Sequence, residues 1–327
     1  MNAIFTSTSG TPGSGTSTPG TSTSGTSTSG ARSSYVGRFA PSPTGPLHLG
    51  SLVAALGSWL DARSVNGTWL LRLEDLDTLR NARDAESTIL ATLEAHGLSW
   101  DHTPMRQSER LPVYAEHLAE LRRDDRIYPC CCTRRTLEDS HGPYPGTCRD
   151  GMARGRKERS LRLRCPPGFV AMFTDRAFGP RAENVAKVVG DFVVRRADGV
   201  VAYQFAVVID DAAQGVTDVV RGADLLDSTG RQLMLQTALG FSAPRYLHLP
   251  VVMGADGQKL SKQNRAAPLD ARTPAANVQE ALRYLRQPLP ADGLPSLKEL
   301  LEWALAHWQV PVLRFSEPTG LREGHGA

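Results

Sequence analysis

The chain has 327 residues, of which 40% are hydrophobic and 22% are charged, and this composition indicates a globular protein with a sizeable core. The formal net charge of +3 is too small to indicate nucleic-acid binding by itself, so any RNA contact must come from a local patch. No apolar run approaches the ~18 residues of a membrane-spanning helix and no signal-peptide core is visible, so we expect a cytoplasmic protein without a membrane partner.

After the first five residues, the segment 1–34 consists almost wholly of Ser, Thr, Gly and Pro. Such a stretch has no apolar side chains to bury, so the sequence predicts a disordered tail. A dispensable extension is the simpler interpretation of this tail, and a tethering or modification segment is the alternative.

From Tyr35 onward, apolar residues recur at the spacings of alternating strands and helices. The opening order of strand, loop, helix, strand and helix is typical of a parallel α/β sheet, so we predict an α/β fold with a Rossmann-type catalytic domain. In chain order, the predicted elements are a strand at 36–40, a helix at 52–60, a strand at 68–73, helices at 82–96 and 112–123, strands at 188–194 and 200–208, a helix at 231–239, a strand at 246–252, and helices at 276–285 and 296–307.

The middle of the chain interrupts this alternation, because it is rich in Cys, Gly, Pro and Arg. We interpret it as an insertion, and we interpret the last two amphipathic helices as a small C-terminal helical part. The predicted units are the tail at 1–34, the first half of the catalytic domain at 35–129, the insertion at 130–185, the second half at 186–265 and the C-terminal part at 266–327.

Two segments far apart in the sequence carry residue types that bind phosphate groups. The first, at 38–51, lies between a predicted strand and helix, where an α/β sheet binds a nucleotide. There, His48 can donate a hydrogen bond to a phosphate oxygen, and Gly50 has no Cβ to block its approach. In the second segment, Lys259 and Lys262 can both reach one pyrophosphate. Taken singly, each segment has a simpler explanation, namely a helix-capping histidine and a solvated loop with two lysines.

Together, in this order and at this separation, the two segments resemble the HIGH and KMSKS motifs of class I aminoacyl-tRNA synthetases. Ser51 stands where the first motif usually carries a second histidine, so a mechanism with two histidines is in doubt. The resemblance implies ATP-dependent activation of an amino acid, with His48 and Lys262 as catalytic residues and Mg²⁺ accompanying the ATP. It implies that the ATP site contains His48, Gly50, Lys259 and Lys262.

The segments 38–50 and 71–77 resemble the glutamyl branch of this family, and the likeness extends over about 35–268. Glutamate needs a cation for its side-chain carboxylate and an anion for its ammonium group, and a guanidinium group binds a carboxylate through two hydrogen bonds. Without the resemblance, each charged residue would be interpreted as an ordinary ion pair. The resemblance implies that the L-glutamate site contains Arg38, Ala40, Ser42, Glu74, Tyr203 and Arg221.

The five cysteines are clustered and odd in number, which is typical of a metal site rather than of a disulfide framework. Cys131 lies between two candidate ligands and is expected to point away from the metal. The fourth ligand is either His141, the ordinary choice, or Tyr144, whose phenol must lose a proton beside the metal. Unliganded cysteines in a loop are the simpler alternative. Three of the four tetrahedral ligands that zinc prefers are supplied by Cys130, Cys132 and Cys148.

A run of basic residues follows the cysteines and is the best candidate in the sequence for contacting an RNA acceptor end. A solvated face without any RNA contact explains the same run equally well. Its members are Arg149, Arg154, Arg156, Lys157, Arg159, Arg162 and Arg164.

The cysteine insertion, the segment 259–264 and the short stretch that follows it resemble the glutamyl-Q tRNA(Asp) synthetases, which are truncated paralogues of glutamyl-tRNA synthetase. In that family a tyrosine serves as a zinc ligand, so the resemblance favours Tyr144 beside the three cysteines around one structural Zn²⁺. It also implies transfer of glutamate to the queuosine base of tRNA(Asp) by a protein without an anticodon-binding domain. We expect a monomer.

Two other functions stay open at this point. The first is a minimal glutamyl-tRNA synthetase that charges the 3′ end of a tRNA. The second is a non-catalytic RNA-binding or regulatory protein derived from a synthetase. The presence of Arg38, His48, Glu74, Arg221 and Lys262 argues against the second function, because a protein without catalytic activity has no need of them.

Overall fold

The computed structural model describes residues 35–133, 135–137, 142–252, 267–291 and 296–310. The predictions made for the tail at 1–34, for His141 and for Lys259 and Lys262 lie outside these residues. Among the helices within the described ranges, none has both the length and the apolar character needed to cross a lipid bilayer.

The first three strands form a parallel sheet, as predicted for the start of the chain. β1 (Val36–Phe39) pairs with β2 (Thr68–Leu73), which pairs with β3 (Asp101–Arg106). Helix α1 (Leu49–Arg63) connects β1 to β2, and helix α2 (Ala85–Ala95) leads from β2 towards β3. Most of α1 is buried, because it lies in the core between the sheet and the C-terminal helices.

A second parallel pair lies beside this sheet. β9 (Asp218–Gly222) pairs with β10 (Arg245–Leu249), and helix α6 (Thr229–Leu239) connects them. The backbone N–H of Thr217 donates to the carbonyl oxygen of Val36 at 2.9 Å, which joins the start of β9 to β1. The predicted parallel α/β architecture is therefore confirmed.

The middle of the chain is antiparallel. β4 (Ile127–Cys130) pairs with β5 (Ser160–Leu163), and β5 pairs with β8 (Phe192–Arg195). β6 (Val170–Asp175) and β7 (Gly179–Asn184) form a hairpin whose first strand joins β10 in parallel. The helices of this region are α3 (Leu111–Arg123) and the short α4 (Val185–Val188).

The strand predicted at 200–208 is wrong, because these residues begin helix α5 (Tyr203–Ala213). Valine and phenylalanine favour strands, but burial is continuous from Phe205 to Asp211 and does not alternate. A helix enclosed by the second hydrophobic core accounts for that pattern. The strand predicted at 188–194 is right only in its last part, since α4 ends at Val188 and β8 begins at Phe192.

The two predicted C-terminal helices are confirmed as α7 (Pro274–Tyr284) and α8 (Leu297–Ala306), which pack in the same core as α1. One buried carboxylate of α1 connects distant parts of the chain. Asp61 accepts hydrogen bonds from the Tyr35 hydroxyl, from the Arg176 guanidinium and, at 3.0 Å, from Nε1 of Trp308. We call this group the Asp61 junction.

Candidate active site and metal centre

A cavity of about 420 Å³ lies where β1, β2, β9 and β10 end. The carboxyl ends of parallel strands are the usual place for a nucleotide-linked site in such folds. The structure brings together at this cavity every described residue that the sequence predicted for glutamate and ATP. These are Arg38, Ala40, Ser42, His48, Gly50, Glu74, Tyr203 and Arg221.

His48 caps the N-terminus of α1, and this end of the helix opens on the cavity. The backbone N–H of Ser51 donates to Nδ1 of His48 at 3.3 Å. In the neutral ring the proton is then on Nε2, which makes that nitrogen a hydrogen-bond donor. Because the first turn of α1 contains no acidic residue, its positive dipole end keeps its attraction for anions. The capping and phosphate-binding interpretations of His48 are therefore compatible.

Arg38 is held in place by a buried carboxylate that the sequence did not single out. Its Nε and Nη2 donate to the two oxygens of Asp211 at 3.1 and 3.4 Å. Nη1 of the fully buried Arg72 donates to the same carboxylate at 2.7 Å. Burial raises the pKa of Asp211, but the two guanidinium groups outweigh it and hold that pKa below its ordinary value. Asp211 is therefore an anion that orients both arginines.

Glu74 is a buried carboxylate whose hydrogen-bonding capacity is only partly used. Nη2 of Arg72 lies 3.6 Å from Oε1 of Glu74, which is too far for a hydrogen bond. Among the described residues, that oxygen has no hydrogen-bond partner. Burial raises the pKa of Glu74 to about 7, although Arg72 and Arg38 act against the shift. The carboxylate can therefore accept a cationic ligand from the cavity.

Arg221 is anchored by neutral groups on three sides. Its nitrogens donate to Nε2 of His248 at 3.0 Å, to Oε1 of Gln232 at 2.6 Å and to Oγ1 of Thr229 at 2.8 Å. Burial lowers the pKa of His248, so the ring is neutral, accepts from Arg221 and donates through Nδ1 to Asp175 at 2.6 Å. Because these three acceptors carry no formal charge, they do not neutralise the positive charge of Arg221, and the guanidinium can attract a carboxylate in the cavity.

Tyr203 begins helix α5 at the cavity wall. Burial, reinforced by the nearby Glu74 carboxylate, raises the pKa of its phenol, so the hydroxyl stays protonated and can donate a hydrogen bond.

The described residues on either side of 253–266, the range that contains both predicted ATP-binding lysines, lie close to this cavity. Val251 and Val252 line the cavity immediately before the segment. After it, Pro268 forms a β-bridge with His48, and the N–H of Leu269 donates to the carbonyl oxygen of Leu47 at 2.9 Å. The described chain on both sides of residues 253–266 is therefore close to His48, whereas the two lysines themselves lie outside the described residues.

The predicted metal ligands also lie together. The sulfur atoms of Cys130, Cys132 and Cys148 are all within 4.8 Å of one another. The hydroxyl oxygen of Tyr144 lies 3.5 Å from the sulfur of Cys130 and 3.4 Å from that of Cys132. Three thiols, which are ordinary zinc ligands, and one phenol oxygen thus form a set of four donors, the number that a tetrahedral metal ion accepts.

Cys131 lies beside the cluster without belonging to its group of three thiols. Its sulfur lies 3.6 Å from that of Cys148, but the described thiols that could together hold an ion are those of Cys130, Cys132 and Cys148. Burial raises the pKa of the Cys148 thiol, and hydrogen bonds from the backbone of Cys131 and the hydroxyl of Tyr144 outweigh it and lower that pKa to about 7. Cys148 therefore loses its proton readily, which favours metal binding.

The basic run after the cysteines does not form one surface. Arg162 is buried, and Arg149 and Arg164 are partly buried because they donate to groups of the same region. The prediction that all seven residues form an RNA-facing run is wrong for these three. The exposed members are Arg154, Arg156, Lys157 and Arg159.

The family model for the catalytic domain of class I tRNA synthetases (E and Q) matches residues 35–273. The glutamyl-Q tRNA(Asp) synthetase of Aromatoleum aromaticum is 53% identical over 287 residues, which cover 86% of this chain and 90% of that protein. The chain belongs to the glutamyl-Q tRNA(Asp) synthetase family. The corresponding protein of Pseudomonas aeruginosa is 52% identical over 85% of this chain and 94% of its own length.

A solved glutamate tRNA ligase from Elizabethkingia meningosepticum, in complex with its amino acid, has a similar fold with a TM-score of 0.71 and 26% identity. The match covers 86% of this chain and 66% of that structure, so the chain spans just under two thirds of the ligase. The predicted membership of the class I synthetases is confirmed, and the chain is a ligase of that class.

Sequence reasoning missed the residues that hold the cavity-lining side chains in place. They come from separate elements, namely Arg72, Asp175, Asp211, Thr229, Gln232 and His248. The one visible signal was Asp210-Asp211 inside an apolar run, since buried acidic residues require partners.

Proposed function

We propose that this chain activates L-glutamate with ATP and transfers the glutamyl group to the queuosine base of tRNA(Asp). The proposal that the chain activates glutamate is supported by one observation: Arg221 and Glu74 line the same cavity as His48 and the N-terminus of α1. The proposed transfer to queuosine rests on the acceptor in the name of the relatives that are more than 50% identical.

In this proposal the two charged ends of glutamate bind to opposite charges in the cavity. Arg221, with Arg38 beside it, binds the side-chain carboxylate, and Glu74 binds the ammonium group. The Tyr203 hydroxyl donates to the bound amino acid, and Ala40 and Ser42 line its site. An analogue that lacks either charged end leaves a buried charge unpaired and binds weakly.

The reaction is an in-line displacement at phosphorus. An oxygen of the glutamate α-carboxylate forms a bond to the α-phosphorus of ATP, and the bond from that phosphorus to pyrophosphate breaks. The protein contributes orientation and charge neutralisation: His48 donates from Nε2, and Lys259 and Lys262 bind the phosphates. Mg²⁺ accompanies the ATP as its counter-ion. The acceptor on the tRNA base then attacks the acyl carbon, and AMP leaves.

Transfer of radiolabelled glutamate to three tRNA(Asp) samples tests this function. The samples contain queuosine, lack queuosine, or contain queuosine but lack the 3′-terminal adenosine. We expect label on the first and third samples only. Label that requires the 3′ adenosine and not queuosine would favour a glutamyl-tRNA synthetase, the second candidate, which the likeness to a glutamate tRNA ligase supports. Absence of ATP–pyrophosphate exchange with glutamate and any tRNA would reject both.

We further propose that the cysteine cluster holds one structural Zn²⁺ through Cys130, Cys132, Tyr144 and Cys148, within the insertion predicted at 130–185. The ion would tie the end of β4 to the loop that precedes β5. The four donors and their spacing support this assignment. Metal analysis tests it: we expect about one zinc per wild-type chain and a loss of that zinc in Cys148→Ser.

A further inference from the structure

Arg162 is a buried cation that lies against the proposed metal ligands. It belongs to β5, where it pairs with Tyr128 of β4 and with Val193 of β8. The residue is only 8% exposed. The central position in a three-stranded sheet fixes the backbone from which this side chain extends, so its contacts are those of a constrained residue.

The guanidinium group contacts two of the four proposed ligands. Nε of Arg162 donates to the sulfur of Cys130 at 3.3 Å. The guanidinium carbon lies 3.8 Å from the centre of the Tyr144 ring, a cation–π arrangement. Nη1 donates to the carbonyl oxygen of Asp191 at 3.1 Å, which anchors the far side of the group.

Within the described part of the chain, no carboxylate lies within salt-bridge distance of Arg162. The nearby carboxylate of Asp191 is bound instead by Arg149, by the Tyr128 hydroxyl and by the N–H of Cys165. A buried guanidinium without an anion is costly, so its counter-charge must come from another group. Three thiolates and the Tyr144 phenolate would together exceed the charge of one divalent ion by about two units, and Arg162 contacts two of these four ligands, Cys130 and Tyr144.

We propose that Arg162 is a positioning residue of the metal centre, which neutralises the thiolate-rich site and orients Cys130 and Tyr144 towards the ion. The proposal rests on the zinc site proposed above. Partners that hydrogen-bond to metal ligands contribute about 10- to 100-fold to metal affinity. Arginine suits this position because a planar guanidinium can donate to sulfur and stack on an aromatic ring at once, whereas lysine cannot.

Release of zinc from the full-length, zinc-loaded protein to a colorimetric chelator tests the proposal. We expect Arg162→Met to release zinc about tenfold faster than the wild type and Arg162→Lys to be intermediate. Arg164→Met is the matched control. Its guanidinium lies 4.8 Å above the Tyr128 ring and donates to the carbonyl oxygen of Arg149, not to a thiol, so zinc release should be unchanged.

Thermal unfolding separates this role from a purely structural one. Without metal, Arg162 has no counter-charge, so Arg162→Met should leave the Tm of the metal-free protein unchanged or raise it, while lowering that of the zinc-loaded protein. A fall of Tm in both states, or equal zinc release from wild type and Arg162→Met, would overturn the proposal. If Arg162→Met does not fold, Arg162→Lys replaces it in the experiment. Zinc release from Arg162→Lys at the wild-type rate would then overturn the proposal. A wild type that binds no zinc would reject the metal site itself, which distinguishes the two failures.

Discussion

At the scale of single residues, Glu74 combines a functional need with a cost in stability. Burial raises its pKa to about 7, so the ionised form that an ammonium group requires is disfavoured in the empty cavity. Below pH 7 the carboxyl group is protonated and cannot pair with the ammonium of glutamate. We therefore expect kcat/KM for glutamate, measured by ATP–pyrophosphate exchange, to rise between pH 6 and pH 8 with an apparent pKa near 7.

Glu74→Gln should remove this pH dependence and lower kcat/KM about 30-fold or more, because the buried ammonium then lacks its anion. Glu86→Gln is the control, since Glu86 is partly exposed, pairs with Arg106 and lies outside the cavity. An unchanged pH profile in Glu74→Gln would contradict the assigned role.

The same residue predicts an effect on folding. Its folded-state pKa is raised from 4.5 to about 7, so its stabilising contribution is complete below pH 4.5 and is lost as the pH rises through 7. Glu74→Gln should therefore increase the free energy of unfolding of the empty protein at pH 8, by up to about 3 kcal/mol, and much less at pH 5. Denaturant titrations at the two pH values measure the difference.

Individual site residues were predictable where their chemistry is tied to a motif. The predictions for Arg38, His48 and Glu74 came from the resemblance of their segments to class I synthetases, and all three residues line the cavity. Partners such as Asp211 were not predictable, because an ion pair 173 residues apart in sequence leaves no local pattern. Arg162 was misplaced for the same reason: a basic residue in a basic run indicates exposure unless its buried partners are known.

At the scale of elements, amphipathic helices and strands next to strong turn signals were predicted well. The amphipathic helices α7 and α8 and the strand β2 are examples. α5 was mistaken for a strand because its phenylalanine and valines favour strands, and because its run of buried residues from Phe205 to Asp211 shows no alternation with polar positions. β3 (Asp101–Arg106) was missed because it contains a proline and charged residues, which suit its position at the edge of the first sheet.

The exposed part of the basic run, Arg154 to Arg159, is an element whose contribution can be measured. Changing Arg154, Arg156, Lys157 and Arg159 together to Gln should weaken tRNA binding and reduce the slope of log K against log salt by about 3, if each cation neutralises one phosphate. The matched control is Arg283→Gln with Lys298→Gln, two exposed cations of the C-terminal helices. An equal loss in both variants, or none in the first, would contradict an RNA contact here.

At the scale of the whole molecule, the parallel architecture follows from the order of elements, whereas the arrangement of the middle region does not. β4 and β8 both pair with β5 although 61 residues (131–191) lie between their nearest ends, and β6 joins β10 of the parallel sheet. Such pairings depend on contacts between strands that are far apart in the sequence, so the local spacing of residues does not predict them. The cavity, in contrast, follows from topology, because parallel strands place their carboxyl ends together.

The Asp61 junction has a kinetic consequence. Its hydrogen bonds join α1 to Tyr35, Arg176 and Trp308, so the last of them closes a sequence separation of 247 residues. Contacts of such long range form late, after the loop between them has been closed. We therefore expect Asp61→Asn to speed unfolding markedly while changing the refolding rate little, a φ-value near zero that stopped-flow chevron plots would report. The Asp61 junction would then slow unfolding without taking part in the folding nucleus.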